Sequence, residues 1–217
     1  MDFGYEKDSK ERLPFEHYLK VYQDLKPEEI SQRTGIPYDS ETSTFRLRLM
    51  GVTYKITHPD YVVTHTDGEK IGWFPLEQKT NARILVLRFL TSGTAAPSFG
   101  KFLTYREIPW GEVYFKQFHG RCILRLAYGF GNRTEQFEAI MDKIGGEKLD
   151  IGDASYEFEF LNELRLRMIL WAGDDEFPPS AQILFSDNFP VAFNQGEDMA
   201  VVGDVSIDML KELQKAL

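Results

Sequence analysis

The stretch from Tyr156 to Leu170, YEFEFLNELRLRMIL, decides the fold class. Tyr156, Phe158 and Phe160 alternate with Glu157 and Glu159, and Leu164, Leu166, Met168 and Leu170 alternate with Arg165 and Arg167. Period-two alternation is the mark of a half-buried strand, so two strands and a hairpin are predicted. A two-residue loop would set aromatic rings opposite arginines. A three-residue loop, Leu161-Asn162-Glu163, instead sets Glu159 against Arg165 and Glu157 against Arg167, leaving one wholly apolar face. The odd-length loop is therefore expected.

Outward from this hairpin, the same rhythm appears upstream. Phe45, Leu47 and Leu49 alternate with Arg46 and Arg48; Val52, Tyr54 and Ile56 alternate with Thr53 and Lys55. The apolar phase slips at Gly51, which predicts a turn or a bulge there. A third strand, Tyr61 to Thr66, runs into the turn dipeptide Asp67-Gly68 and completes an antiparallel meander. Another strand is expected around Gln182–Phe185. The two strand groups can join one sheet or form two.

Helical spacing fills the intervals. Pro14 suits a first helical position, followed by Phe15, Tyr18, Leu19 and Tyr22; a second helix runs from Pro27 to Gly35. Leu76 to Thr91 has the strongest pattern and is expected to be the central, most buried element. Ser92–Ser98 reads as a loop, with a short strand near Phe102–Arg106. Trp110 to Gly131 reads as mostly helical, with a kink or close helix contact at Gly120. Asn132-Arg133-Thr134-Glu135 matches a capping box ahead of Phe137, Ile140, Met141 and Ile144, and a final helix is expected near Ser206–Leu217. The fold class is α+β: residues 1–12 loosely held, then one domain over 13–217.

Composition narrows the function. With 217 residues, folding removes about 70% of the extended chain's surface from water, enough for a self-standing core. The 34 acidic residues outweigh 25 basic ones, and a net charge of −9 argues against a nucleic-acid partner. No apolar run approaches a membrane span, and the N-terminus lacks the apolar core of a secretory signal, so a cytoplasmic protein is expected. A lone Cys122 cannot by itself hold a zinc or an Fe–S cluster and reads as a small core residue. No metal or cofactor signature is found: His-Glu-x-x-His, Gly-x-Ser-x-Gly, the Walker loop and the dinucleotide fingerprint are all missing.

Two constellations remain. Asp174, Asp175 and Glu176, in Gly173-Asp174-Asp175-Glu176-Phe177-Pro178-Pro179, are the catalytic candidates. Crowded carboxylates either raise one another's pKa or collect a hard cation; the same acids also read as a solvated loop. Tyr105, Arg106, Glu107 and Trp110 are the ligand-binding candidates, Arg106 as a bidentate clamp for a carboxylate or phosphate and an aromatic as a stacking wall. The plainer reading is a strand end, a helix-start acid and a buried ring.

Three of these segments occur in a characteristic order: Ile84-Leu85-Val86-Leu87-Arg88-Phe89-Leu90, then Tyr105-Arg106-Glu107-Ile108-Pro109, then Gly173 to Pro179 with Ile183-Leu184-Phe185 after it. Together they resemble the domain-of-unknown-function 3786 family, from about Phe15 to the C-terminus. Its members occur in mostly anaerobic bacteria and archaea, and some look like fusions to a four-cysteine Fe–S module of the kind found in corrinoid proteins. The resemblance implies a link to one-carbon or redox metabolism, without the module here, and brings no reaction or catalytic residues. The reading is a binding or accessory domain for a protein partner or small ligand; the alternatives are a metal-assisted hydrolase using residues 174–176, and a structural or oligomerisation protein. The oligomeric state is left open.

Overall fold

The computed structural model describes residues 9–193 and 195–217. Among the described residues the strands join one antiparallel sheet, and the α+β class holds. The meander is β2 (Thr44–Leu49), β3 (Val52–Thr57) and β4 (Val63–His65), with a short β1 (Tyr38–Asp39) beside β2. The second group is β7 (Ala154–Leu161), β8 (Leu164–Trp171) and β9 (Ser180–Ser186). It is flanked by β5 (Phe102–Thr104) on β9 and β6 (Glu147–Lys148) on β7. The order is β4-β3-β2-β7-β8-β9-β5. One register pair, Leu49 with Leu161, joins the two groups.

The phase slip at Gly51 is a two-residue turn. Met50 and Gly51 both take positive φ, 45° and 80°, the backbone that matches strand twist, and it sets Phe45, Leu47 and Leu49 against Ile56, Tyr54 and Val52 on one face. β4 is shorter than expected because Tyr61 sits at φ 54°, outside the ladder, and turns its ring into the core against Tyr22.

The hairpin has the expected register, with Glu157 opposite Arg167 and Glu159 opposite Arg165, but not the expected loop. Asn162-Glu163 is a two-residue turn closed by the Leu161–Leu164 pair, and the odd residue is absorbed as a bulge at Phe160. The bulge keeps Phe160 in the core, fully buried. On the open face Glu157 accepts from Nε of Arg167 directly opposite (2.9 Å) and of Arg165 on the diagonal (2.5 Å), while Glu159 lies 3.3 Å from Arg48 on β2. Glu157 is 15% exposed, so its two charge-assisted bonds are partly shielded from water. Glu157→Ala is expected to lower unfolding free energy by about 1–2 kcal/mol in urea denaturation, more than Glu147→Ala at the exposed end of the same network.

Helices cover the other face. α1 (Ser9–Asp24) begins before Pro14 rather than at it; the ring lies inside the helix and leaves the Lys10 carbonyl without its helical donor. Residues 1–8, most of the stretch expected to be loose, lie outside the described residues. α2 (Pro27–Thr34) ends, as expected, on Gly35 at φ 68°. The expected helix 76–91 is split into α3 (Pro75–Gln78) and α4 (Thr80–Ser92) by an extended Lys79. Thr80 and Asn81 favour a helix start over a helix interior, and the Asn81 side chain accepts the Ala82 N–H at 2.9 Å.

The stretch expected to be mostly helical is α5 (Gly111–Phe118), a π turn (His119–Ile123) and α6 (Leu124–Phe130). Gly120 lies in the π turn with open space around it, so the wider turn takes the place of the expected kink. The Asn132 capping box does not form. The chain turns back at Arg133, whose N–H donates to Phe130, α7 (Thr134–Lys143) starts on Thr134, and Asn132 accepts the Gly173 N–H at 3.0 Å instead.

After a short α8 (Phe189–Ala192), α9 (Gly196–Gln214) begins ten residues before the expected final helix. α4 is buried along its inner face, yet α9 is the more enclosed: 13 of its 19 residues are buried, because it packs against α4, α5, α6, α7 and the π turn. No described helix is long and apolar enough to cross a membrane.

Candidate anion-binding groove

The acidic loop closes on itself. Asp174 Oδ1 accepts the N–H groups of Glu176 and Phe177 at 2.8 and 2.7 Å, and the Asp174 N–H donates to the Phe177 carbonyl at 2.9 Å. These backbone donors hold the Asp174 carboxyl below the usual carboxylate range, the reverse of what carboxylate crowding does. Asp175 and Glu176 are exposed. Among the described residues no three His, Cys, Asp or Glu side chains come together in a way that could hold a metal ion.

The second set is divided between core and surface. Tyr105 is buried, stacked on Phe118 with ring centroids 3.9 Å apart, and donates its hydroxyl to the Gly196 carbonyl at 2.7 Å. Glu107 turns back to accept from the Thr104 N–H and hydroxyl at 2.7 and 2.8 Å. These bonds hold the Glu107 carboxyl low. Arg106 faces outward, its guanidinium 3.9 Å above the Phe115 ring and 3.3 Å from Glu112. Trp110 is 73% exposed at φ 65°. Arg106 and Trp110 share the surface, and Tyr105 does not reach it.

A different group of side chains does converge. Between α6 and the end of α9 runs an open groove of about 590 Å³, where Arg125, Arg133, Lys211 and Lys215 meet the exposed apolar surfaces of Leu124 and Tyr128. Lys215 is paired with Glu212 at 2.8 Å, and Arg125 with Asp204 and Asp208. Arg133 donates to the Gly129 carbonyl at 3.0 Å, and Lys211 lies over Gly129. Neither Arg133 nor Lys211 has a carboxylate partner among the described residues. In a chain of net charge −9, this is a local surplus of positive charge beside an aromatic ring.

Behind the groove, Arg125 belongs to an ion-pair ladder between the π turn, α6 and α9. Arg121 and Arg125 are one helical turn apart on the π turn and α6; Asp204 and Asp208 are one turn apart on α9. They interlock: Asp204 accepts from Arg121 and, at 3.0 Å, from Arg125, which also reaches Asp208. The two helices approach this closely because position 203 is glycine. A Cβ there would stand 2.6 Å from Cys122 Sγ. Cys122 is buried, donates to the Ala200 carbonyl at 3.4 Å, and has its thiol pKa pushed up by burial and by Asp204. That is an inert core thiol, not a nucleophile.

Of these residues the sequence pattern singled out Gly120, Cys122 and, inside the expected capping box, Arg133, and none of them for a groove. The usable signal is the pair of i, i+4 spacings, two cations at Arg121 and Arg125 and two anions at Asp204 and Asp208, each within an apolar run of sequence.

An antiparallel sheet under a helical layer, with a basic groove between α6 and the end of α9, makes this an α+β fold. Residues 26–209 match the family described as Domain of unknown function (DUF3786), and the chain belongs to that family. Neither the comparison with curated proteins nor that with solved structures yields a match.

Proposed function

We propose that the protein is a binding or accessory domain and that the α6–α9 groove receives the anionic group, phosphate or carboxylate, of a small ligand or protein partner. The observation that carries this reading is the pair Arg133 and Lys211, cations without acidic partners among the described residues, in one groove with Tyr128. Neither cation has to give up an ion pair when an anion arrives, and the Tyr128 ring offers a face for a planar or apolar part of the ligand. Arg125, already spent on Asp204 and Asp208, acts as the fixed wall. A place in anaerobic one-carbon or redox metabolism belongs to this proposal through the family resemblance, and the cytoplasm as compartment belongs to it through the sequence reading given above. The alternative, metal-assisted hydrolysis at Asp174, Asp175 and Glu176, has no comparable convergence behind it, since Asp174 is occupied by its own turn.

Titration with pyrophosphate followed by NMR checks the reading. Saturable shifts are expected around Tyr128, Arg133 and Lys211, weakening as salt rises from low to physiological strength. The double charge reversal Arg133→Glu/Lys211→Glu is expected to weaken binding by about tenfold or more, roughly 1.4 kcal/mol. No saturable shift, or equal binding by the variant, overturns the assignment.

A further inference from the structure

We infer that the α6–α9 groove docks an acidic amphipathic helix of a partner protein, an inference that rests on the anion-binding reading above and narrows its ligand to one class. The groove has the layout of a helix seat. Gly120, Leu124 and Tyr128 form one row, four residues apart, along the π turn and α6; Arg125, Gly129 and Arg133 form the next. Lys211, Gln214 and Lys215 of α9 close the side. Rows at this spacing are the ridges between which a second helix packs. From Gly120 to Gly129 the seat is roughly 13 Å long at about 1.5 Å per residue, about two and a half helical turns.

Two observations point to a protein segment rather than a lone phosphate or carboxylate. The first is the outer row. Leu124 is 39% and Tyr128 62% exposed, and a small anion held by Arg133 and Lys211 leaves Leu124 in water. Outward apolar residues one turn apart suit the i, i+4 anchors of a helix laid into a groove. The second is Gly120. It is not at positive φ, and a Cβ built there would meet nothing within 4 Å. Glycine is a poor helix former, and neither the backbone nor the packing of this chain requires it here. It lowers one end of the row, where the backbone of a second helix can come close.

Charge decides which helix. Arg125 and Gly129 face α9, since Arg125 binds Asp204 and Asp208 and Lys211 lies over Gly129. The cations Arg125, Lys211 and Lys215 therefore gather on the α9 side of the apolar row, with Arg133 beyond Gly129. The matching helix carries leucine-like residues along one line and carboxylates along the line beside it. A nucleic-acid strand offers the charge but nothing for Leu124.

The probe is a blocked peptide of leucine, alanine and glutamate, about eighteen residues so that it holds a helix alone, with leucines on one helical line and glutamates on the next. It is titrated into the full chain and followed by NMR. Saturable shifts are expected at Gly120, Leu124, Tyr128 and Lys211. Control helices with lysine for glutamate, or alanine for leucine, are expected to bind about tenfold more weakly or worse. Gly120→Gln keeps the charge and favours the helix; it is expected to weaken the acidic peptide by about fivefold or more without lowering the urea midpoint. Leu124→Ser is expected to weaken it similarly. Absence of saturable peptide shifts, equal binding by the alanine control, or unaltered binding by both variants overturns the docking. Tighter binding by a thymidine decamer overturns it in favour of nucleic acid, and self-association of the chain that Gly120→Gln abolishes overturns it in favour of a second copy. Pyrophosphate shifts at Arg133 and Lys211, expected to be unchanged in both variants, are read on the same samples. Where they persist only the docking fails; where they are absent the anion-binding reading fails with it.

Discussion

Asp204→Ala is expected to lower the unfolding free energy by about 2–3 kcal/mol, seen as a lower midpoint in urea and a Tm about 5–10 °C lower. The cause is the interlocked ladder between the π turn, α6 and α9. Asp204 serves Arg121 and Arg125 together, so its removal strands Arg121 and leaves Arg125 with Asp208 alone. Breaking a fully buried ion pair from one side costs about 3–5 kcal/mol. Here Arg121 is 44% and Arg125 32% exposed, so water recovers part of that loss. Asp208, on the outer rung and 25% exposed, has a smaller share, and Asp208→Ala is expected to cost about 1 kcal/mol. Raised salt should shrink the Asp208 effect more than the Asp204 effect. A loss under about 0.5 kcal/mol for Asp204→Ala would falsify the view that this ladder fixes the groove.

Gly203→Ala is expected to destabilise by a similar amount, about 2–3 kcal/mol, against the ordinary preference of a helix for alanine by about 1 kcal/mol. The opposition of sign makes the experiment informative. The new methyl meets Cys122 Sγ at 2.6 Å, Cys122 Cβ at 3.2 Å and Phe118 Cε2 at 3.3 Å. Phe118 is stacked on Tyr105 and is not free to yield. Cys122→Ala removes the sulfur and leaves only the two longer contacts, so the double variant should be more stable than the sum of the single changes predicts. The coupling expected from the denaturation cycle is about 1–2 kcal/mol. Additive losses would place the cost somewhere other than this contact.

The strands were legible because each has one face in water and one in the core. Alternation at Phe45–Leu49, Val52–Ile56 and Tyr156–Leu170 is a direct print of that division, and pairing of opposite charges even set the hairpin register. The turn itself was not legible, because a bulge at Phe160 satisfies the same register as a longer loop. Helix limits failed where local preference and tertiary packing disagree. Val201, Val202 and Gly203 are poor helix formers, so the first half of α9 was invisible until α4 and α5 pack around it. The groove was least legible of all. Its residues lie some eighty positions apart in sequence, and only the spacing of Arg121 with Arg125 and of Asp204 with Asp208 foretells that two helices meet there. The acidic run at Asp174–Glu176 drew attention by its density, yet density of charge carries no information about convergence.

The seam between the two strand groups deserves a mechanical reading. Apart from the Leu49–Leu161 pair and the Arg48–Glu159 ion pair at 3.3 Å, it is held by the Met50 N–H to the Phe160 carbonyl at 2.9 Å, the Asn162 N–H to the Arg48 carbonyl at 3.0 Å, and the Asn162 side chain on the Arg48 N–H at 3.1 Å. Hydrogen bonds this few make a hinge line rather than a continuous plate. The cohesion of the two leaves must then come from the helical roof bolted across them, so a load that loosens the roof would let the sheet fold along this crease before either leaf frays.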